Sequence, residues 1–192
     1  MQARSVATFA KILEASTSII VERGIQGLNT NLVAERAKVN IGTVYHYFPD
    51  KTAILIELSK EMQENCNKIL YSILAEFSTT EDLGEWVRKI LTTFLEIRLE
   101  FPAYRHLRRA FHSVGELHMM LESDLVTNNV DFSKLLQKRF PKLSPERSLA
   151  VATLLIHLAI EVLDYSLNDP ATANENIDEC VTMVSGYFES LK

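Results

Sequence analysis

Seven polar side chains crowd the run NIGTVYHYFPDK, from Asn40 to Lys51. Asn40, Thr43 and His46 recur every three residues, the spacing that sets side chains on one face of a helix. All three can hydrogen-bond to base edges or to phosphate oxygens. Tyr45 adds a ring suited to a thymine methyl and a hydroxyl suited to phosphate. Lys51 follows Pro49 and Asp50, so its cation stands beside the unpaired N–H groups that open a helix, a natural phosphate clamp. A core segment needs few polar tips, yet Tyr45, His46 and Tyr47 are consecutive. The chemistry on offer is the reading of a groove with phosphate walls; the plain alternative is an ordinary surface turn.

Such a cluster works only if short helices hold it. Arg4 to Arg23 has Phe9, Ile12, Leu13, Ser16 and Ile20 along one side, and Gly24 suits the left-handed conformation that ends a helix. Asn29 or Thr30 can cap a second helix running to Ala37, and Asn40 a third from Ile41 to Phe48. Pro49 stops the third and Asp50 can cap a fourth. Val39, Val44 and Phe48 are left to face inward. Two short helices joined by the turn AKVN form a helix-turn-helix candidate, whose second helix enters the major groove of DNA.

Helical spacing continues along nearly the whole chain, and no segment alternates with period two over strand length. Leu55, Leu58, Met62, Cys66, Ile69, Ile73 and Phe77 mark a long fourth helix. Thr79 or Thr80 opens a fifth, Pro102 a sixth, and HSVGE separates a seventh that ends near Phe140. Ser144, Pro145 and Glu146 give an eighth its cap, first residue and first-turn acid. Thr172 and Glu175 have capping-box spacing for a ninth, Ala173 to Ser190. The fold class is therefore all-α, with three short helices followed by six larger ones.

The composition, 47% apolar and 23% charged with only 6 Gly and 5 Pro, fits a helical globular chain. Cys66 and Cys180 are too few and too far apart for a disulfide framework or a zinc site, and read as small core residues of a reducing cytoplasm. Residues 1–60 carry seven Lys/Arg against five Asp/Glu, whereas the whole chain is at −5, so only the head is mildly basic. No apolar leader is evident, and Leu149 to Leu167 is interrupted by His157, Glu161 and Asp164, a poor membrane span. GxSxG, Walker and GxGxxG motifs are absent, as are the Glu-x-x-His pairs of a di-iron bundle. His106, His112 and His118 are six apart, which does not align metal ligands on a helical face. Neither catalysis, cofactor nor metal is expected.

Residues 12–55 resemble the DNA-binding domain of the tetracycline-repressor (TetR) family of bacterial regulators. Glu22-Arg23-Gly24, Thr30, Val33-Ala34, Gly42-Thr43-Val44-Tyr45-His46-Tyr47-Phe48 and Lys51 stand at that family's spacings. The resemblance implies that Thr30 touches phosphate, that Thr43, Tyr45 and His46 reach the groove floor, and that Tyr47 and Lys51 hold the backbone. Two positions depart from the pattern: Lys38 stands where glycine is usual, and Asn40 where serine is common. The first implies a strained turn costing on the order of 1 kcal/mol; the second keeps the cap and offers an amide to adenine.

The same resemblance implies a nine-helix architecture, with a helix-turn-helix domain at 1–50 and an effector-binding and dimerisation domain at 51–192. It implies a cytoplasmic homodimer on a double-stranded, pseudo-palindromic DNA operator, most often a repressor, released by a small-molecule effector and without a membrane role. Candidate effector residues are Trp86, Phe94, Tyr104, Arg105, Arg108, Phe111, His112 and Met119. The aromatics and methionine can equally be core, and the cations can equally pair with neighbouring acids. The eighth helix is apolar around most of its circumference, which a second copy of the chain would cover; a deeply buried central helix is the alternative. Candidate interface residues are Leu154, Leu158, Glu161, Val162 and Tyr165, with Val181, Val184 and Phe188 from the last helix. A helical ligand-binding or scaffolding protein without DNA affinity remains a second functional class.

Overall fold

Local capping fixes where several of the helices begin. The computed structural model describes residues 3–77, 82–111 and 114–191. Among them are nine α-helices and no strand: α1 Ala3–Arg23, α2 Thr30–Ala37, α3 Ile41–Tyr47, α4 Lys51–Glu76, α5 Leu83–Glu100, α6 Tyr104–Ala110, α7 Gly115–Arg139, α8 Pro145–Asn168 and α9 Ala173–Glu189. The Asp50 carboxylate accepts from the Ala53 N–H at 2.9 Å to start α4, and Ser144 Oγ accepts from the Arg147 N–H at 3.2 Å to start α8. For α5 the cap is Asp82, accepting from the Glu85 N–H at 3.0 Å; Thr79 and Thr80 lie outside the described residues. The capping box at Thr172 does not form. A 3-10 turn, Pro170–Thr172, feeds α9 directly, and the Thr172 hydroxyl donates to the Asp169 carboxylate at 3.0 Å.

The chain divides into two compact units. The first comprises Met1–Asn65 and Phe101–Leu121. Its interior is aliphatic, with Ile12, Ile19, Ile20, Leu28, Val33, Val44, Ile54 and Leu107 buried. Ser16, fully buried on α1, donates to the Ile12 carbonyl at 2.7 Å and so needs no other partner.

The second unit comprises Cys66–Glu100 and Glu122–Lys192. Within it α5, α8 and α9 pack on one another. The amphipathic stripe of α9, Ile177, Cys180, Val181, Val184 and Phe188, is buried within the unit, and Phe140 stacks on Phe188 at 5.6 Å. Trp86 lies between Phe77 and Phe132, with ring centroids at 4.7 and 5.7 Å. Arg98, buried on α5, pairs with Asp164 of α8 at 3.0 Å. Burial pushes the thiols of Cys66 and Cys180 above the ordinary cysteine range; Cys180 is buried and Cys66 half-buried.

Candidate nucleic-acid interface

Each element of the candidate site starts with a side-chain cap. Asn29 Oδ1 accepts from the Leu32 N–H at 2.9 Å, so Asn29 is the cap of α2 and Thr30 its first helical residue. At the other end of α2 the Lys38 N–H donates to the Glu35 carbonyl and the Val39 N–H to the Ala34 carbonyl, closing a Schellman turn. That turn puts Lys38 at φ 55, ψ 45, and Lys38 is the one non-glycine residue with positive φ among the described residues. Asn40 Oδ1 accepts from the Gly42 N–H at 2.8 Å and starts α3. A Cβ on Gly42 would come within 3.2 Å of that oxygen, so the glycine leaves the cap room to form.

The α3 helix packs on α2 and reaches α1 through Phe48 at its end. Val44 and Phe48 are buried, and Phe48 stacks on Phe9 at 5.2 Å. The other side is open: Asn40, Gly42, Tyr45 and His46 are exposed and Thr43 and Tyr47 half-buried. Asn40, Gly42, Thr43, His46 and Tyr47 share an open cleft of about 550 Å³ with Ser5 and Thr8 of α1. Sequence reasoning did not identify Ser5 and Thr8, because nothing local says that the first turns of α1 reach α3.

Two tyrosine hydroxyls are tied to neighbouring helices. Tyr45 Oη lies 3.1 Å from Thr30 Oγ1 on α2. Tyr47 Oη donates to the Ser5 carbonyl at 3.2 Å and bonds the Ser5 hydroxyl at 2.8 Å. Lys51, exposed, is the first residue of α4 beside the Asp50 cap. Arg36 was likewise missed. Its guanidinium forks onto Glu22 at 2.6 and 2.8 Å and reaches Ser18 at 2.9 Å, tying α2 to the end of α1. The hydrogen bond from Arg36 holds the Glu22 carboxyl below the ordinary carboxylate range, against a smaller desolvation effect.

Capped α2 and α3, a left-handed turn between them and a polar outer row compose a helix-turn-helix. Residues 12–58 match the family model for bacterial regulatory proteins of the tetR family, and residues 82–188 that for the tetracyclin repressor-like C-terminal domain. The chain belongs to the TetR family. It is 31% identical over 70 residues to the uncharacterized HTH-type transcriptional regulator YxbF of Bacillus subtilis, a match covering 36% of this chain. It is 39% identical over 81 residues, 42% of this chain, to the HTH-type transcriptional repressor KstR of Mycolicibacterium smegmatis. The chain spans 18% of the first relative's length and 40% of the second's. A crystal structure of a TetR-family transcriptional regulator from Pectobacterium atrosepticum shares the fold, with TM-score 0.69 at 18% identity over 100% of this chain and 97% of that one.

The other residues singled out in this TetR-family chain fall in different surroundings. Trp86, buried, and Phe94, half-buried, belong to the second unit. Tyr104, Arg105, Arg108, Phe111 and Met119 belong to the first. Tyr104 and Phe111 are buried there, Arg105 is exposed, and Met119 is 68% exposed on α7. His112 lies outside the described residues. Of the α8 row, Leu154 is 71% and Tyr165 65% exposed, Glu161 is exposed, and Leu158 and Val162 are half-buried. Thus α8 is not covered on nearly every face within the chain. Val181, Val184 and Phe188 are already buried against their own unit, so the open side of α9 is formed instead by Met183 and Tyr187. The narrow apolar stripe of α9 is satisfied by α5 and α8, whereas the wider one of α8 exceeds what its neighbours cover.

Proposed function

We propose that the protein binds a pseudo-palindromic, double-stranded operator as a homodimer, represses transcription from it, and is released by a small-molecule effector. In this reading residues 1–50 form the DNA-reading domain and residues 51–192 the effector and dimerisation domain. The observation that carries it is the outward row of α3, which places Asn40, Thr43, Tyr45 and His46 on one uncovered side of a capped helix. Thr43, Tyr45 and His46 meet base edges, Thr30 and Lys51 meet phosphates, Gly42 allows close approach, and Tyr47 stands at the edge of the surface.

Two-fold pairing supplies the second reading helix that a palindrome requires. The open apolar face of α8, Leu154 with Leu158, Val162 and Tyr165, joined by Met183 and Tyr187 of α9, supports a second copy as its cover. The length and mean hydropathy of α8 suffice for a membrane span, but Glu161 stands on its open face and Asp164 pairs with Arg98. A protein partner tolerates that mixture and a lipid core does not. The protein acts in the cytoplasm, without catalysis or cofactor. A small-molecule effector acts by preferring one of two arrangements of the chain.

Sedimentation of the full chain tests the reading, together with its binding to duplex from its own upstream region and to random duplex in graded salt. A dimer that prefers the upstream duplex is expected, as is a Leu154→Asp variant that is monomeric and has lost that preference. A wild-type chain that is monomeric at micromolar concentration and binds neither duplex in low salt overturns it in favour of a helical protein without DNA affinity.

A further inference from the structure

The Tyr47 hydroxyl has one proton, and a phosphate diester oxygen at neutral pH can only accept. That proton points at α1: Tyr47 Oη donates to the Ser5 carbonyl at 3.2 Å, and its oxygen shares a second bond of 2.8 Å with the Ser5 hydroxyl. Both partners belong to one residue, 42 positions away in sequence. Ring packing holds the same geometry. Phe9, one turn beyond Ser5 on α1, meets the Tyr47 ring edge-on at 5.8 Å and stacks on Phe48. His46 also lies edge-on to Tyr47, at 5.1 Å. To donate to phosphate, Tyr47 would have to turn its proton away from the Ser5 carbonyl.

We propose that Ser5 is a positioning residue for operator recognition. By holding Tyr47 it fixes the tilt of α3, and so the depth at which Thr43 and His46 meet the groove; Tyr47 serves as a strut between α1 and α3 in place of a phosphate ligand. The proposal rests on the reading that α3 enters the major groove. Ser5 also lines the cleft that the outer row of α3 shares, so a loosened strut changes the shape of the surface that DNA meets.

The full-length wild type, Ser5→Ala, Tyr47→Phe, the double variant and Ser5→Thr are each used to select duplexes from a random pool. Affinities for the wild-type consensus and for a scrambled duplex are then measured across a salt series. Ser5→Ala is expected to lower the consensus-to-scrambled ratio by about fivefold, the worth of one net hydrogen bond, and Tyr47→Phe by at least as much, because it also removes the bond to the Ser5 carbonyl. The double variant should lose no more than Tyr47→Phe alone, because that substitution already removes the hydroxyl that Ser5 holds. Ser5→Thr should restore the ratio, and the slope of log K against log salt should stay at the wild-type value throughout. A Tyr47→Phe variant that weakens both duplexes equally and flattens the salt slope overturns the proposal and makes Tyr47 a phosphate ligand. Losses that simply add in the double variant also overturn it. If the wild type itself enriches no sequence, groove entry by α3 fails; if it enriches one and Ser5→Ala enriches the same one equally tightly, only the role of Ser5 fails.

Discussion

Thr30, the first residue of α2, and Tyr45, on the outer side of α3, join their hydroxyls at 3.1 Å. The bond is exposed and links the two helices of the helix-turn-helix at the surface proposed to meet DNA. Either oxygen can donate, so one proton remains for a phosphate.

Removing that shared hydroxyl with Tyr45→Phe is expected to weaken operator and random duplex alike, by about fivefold for roughly 1 kcal/mol. Tyr45→Ala removes the ring as well and should, unlike Tyr45→Phe, lower sequence preference. Fluorescence anisotropy with both duplexes separates the two effects.

Lys51 and His46 should fail in opposite ways. Lys51→Ala removes a cation at the start of α4, so affinity should drop for all duplexes and the salt slope should fall by about 0.9, one phosphate contact. His46→Ala should change which operator is preferred, by about 1–3 kcal/mol at the contacted base pair, with little change in slope. The salt series on operator variants reads both.

The left-handed conformation of Lys38 costs the fold something a glycine would not. Lys38→Gly should raise stability by about 0.5–1 kcal/mol, or roughly 1–4 °C in Tm, the gain being reduced by the greater freedom of glycine in the unfolded chain. Differential scanning calorimetry without DNA checks it.

The Glu22–Arg36 fork predicts a direction with pH. The folded carboxyl titrates below its ordinary value because Arg36 hydrogen-bonds it, so its contribution is fully present above the ordinary carboxylate range. It is lost as pH falls through the lowered folded value. Glu22→Gln should therefore melt lower than wild type at pH 7, and the gap should close in acid. Melts at both pH values, with Arg36→Gln as the matched partner, test it.

The starts of most helices were legible in the sequence because caps are local. Asn40, Asp50 and Ser144 each bond an N–H two or three residues ahead, and no distant element is needed for that. Gly24 at φ 67, ψ 178 holds a backbone region that side chains exclude, and a glycine after an amphipathic run announces it. The family pattern at 42–51 is equally local. Where two local bonds compete, the pattern alone did not choose: the Thr172 hydroxyl prefers Asp169, three residues back, to capping α9.

The sequence by itself determined nine helical segments and a capped pair carrying hydrogen-bonding groups outward, since turn chemistry and periodicity act over three or four residues. Only the tertiary structure decided that the hydroxyl of Tyr47 belongs to Ser5, that Arg36 neutralises Glu22, and that α9 turns its apolar stripe inward while α8 leaves Leu154 and Tyr165 open. Those pairings join residues 14 to 42 positions apart or whole helix faces. They depend on how helices cross, which the spacing along any one helix does not encode.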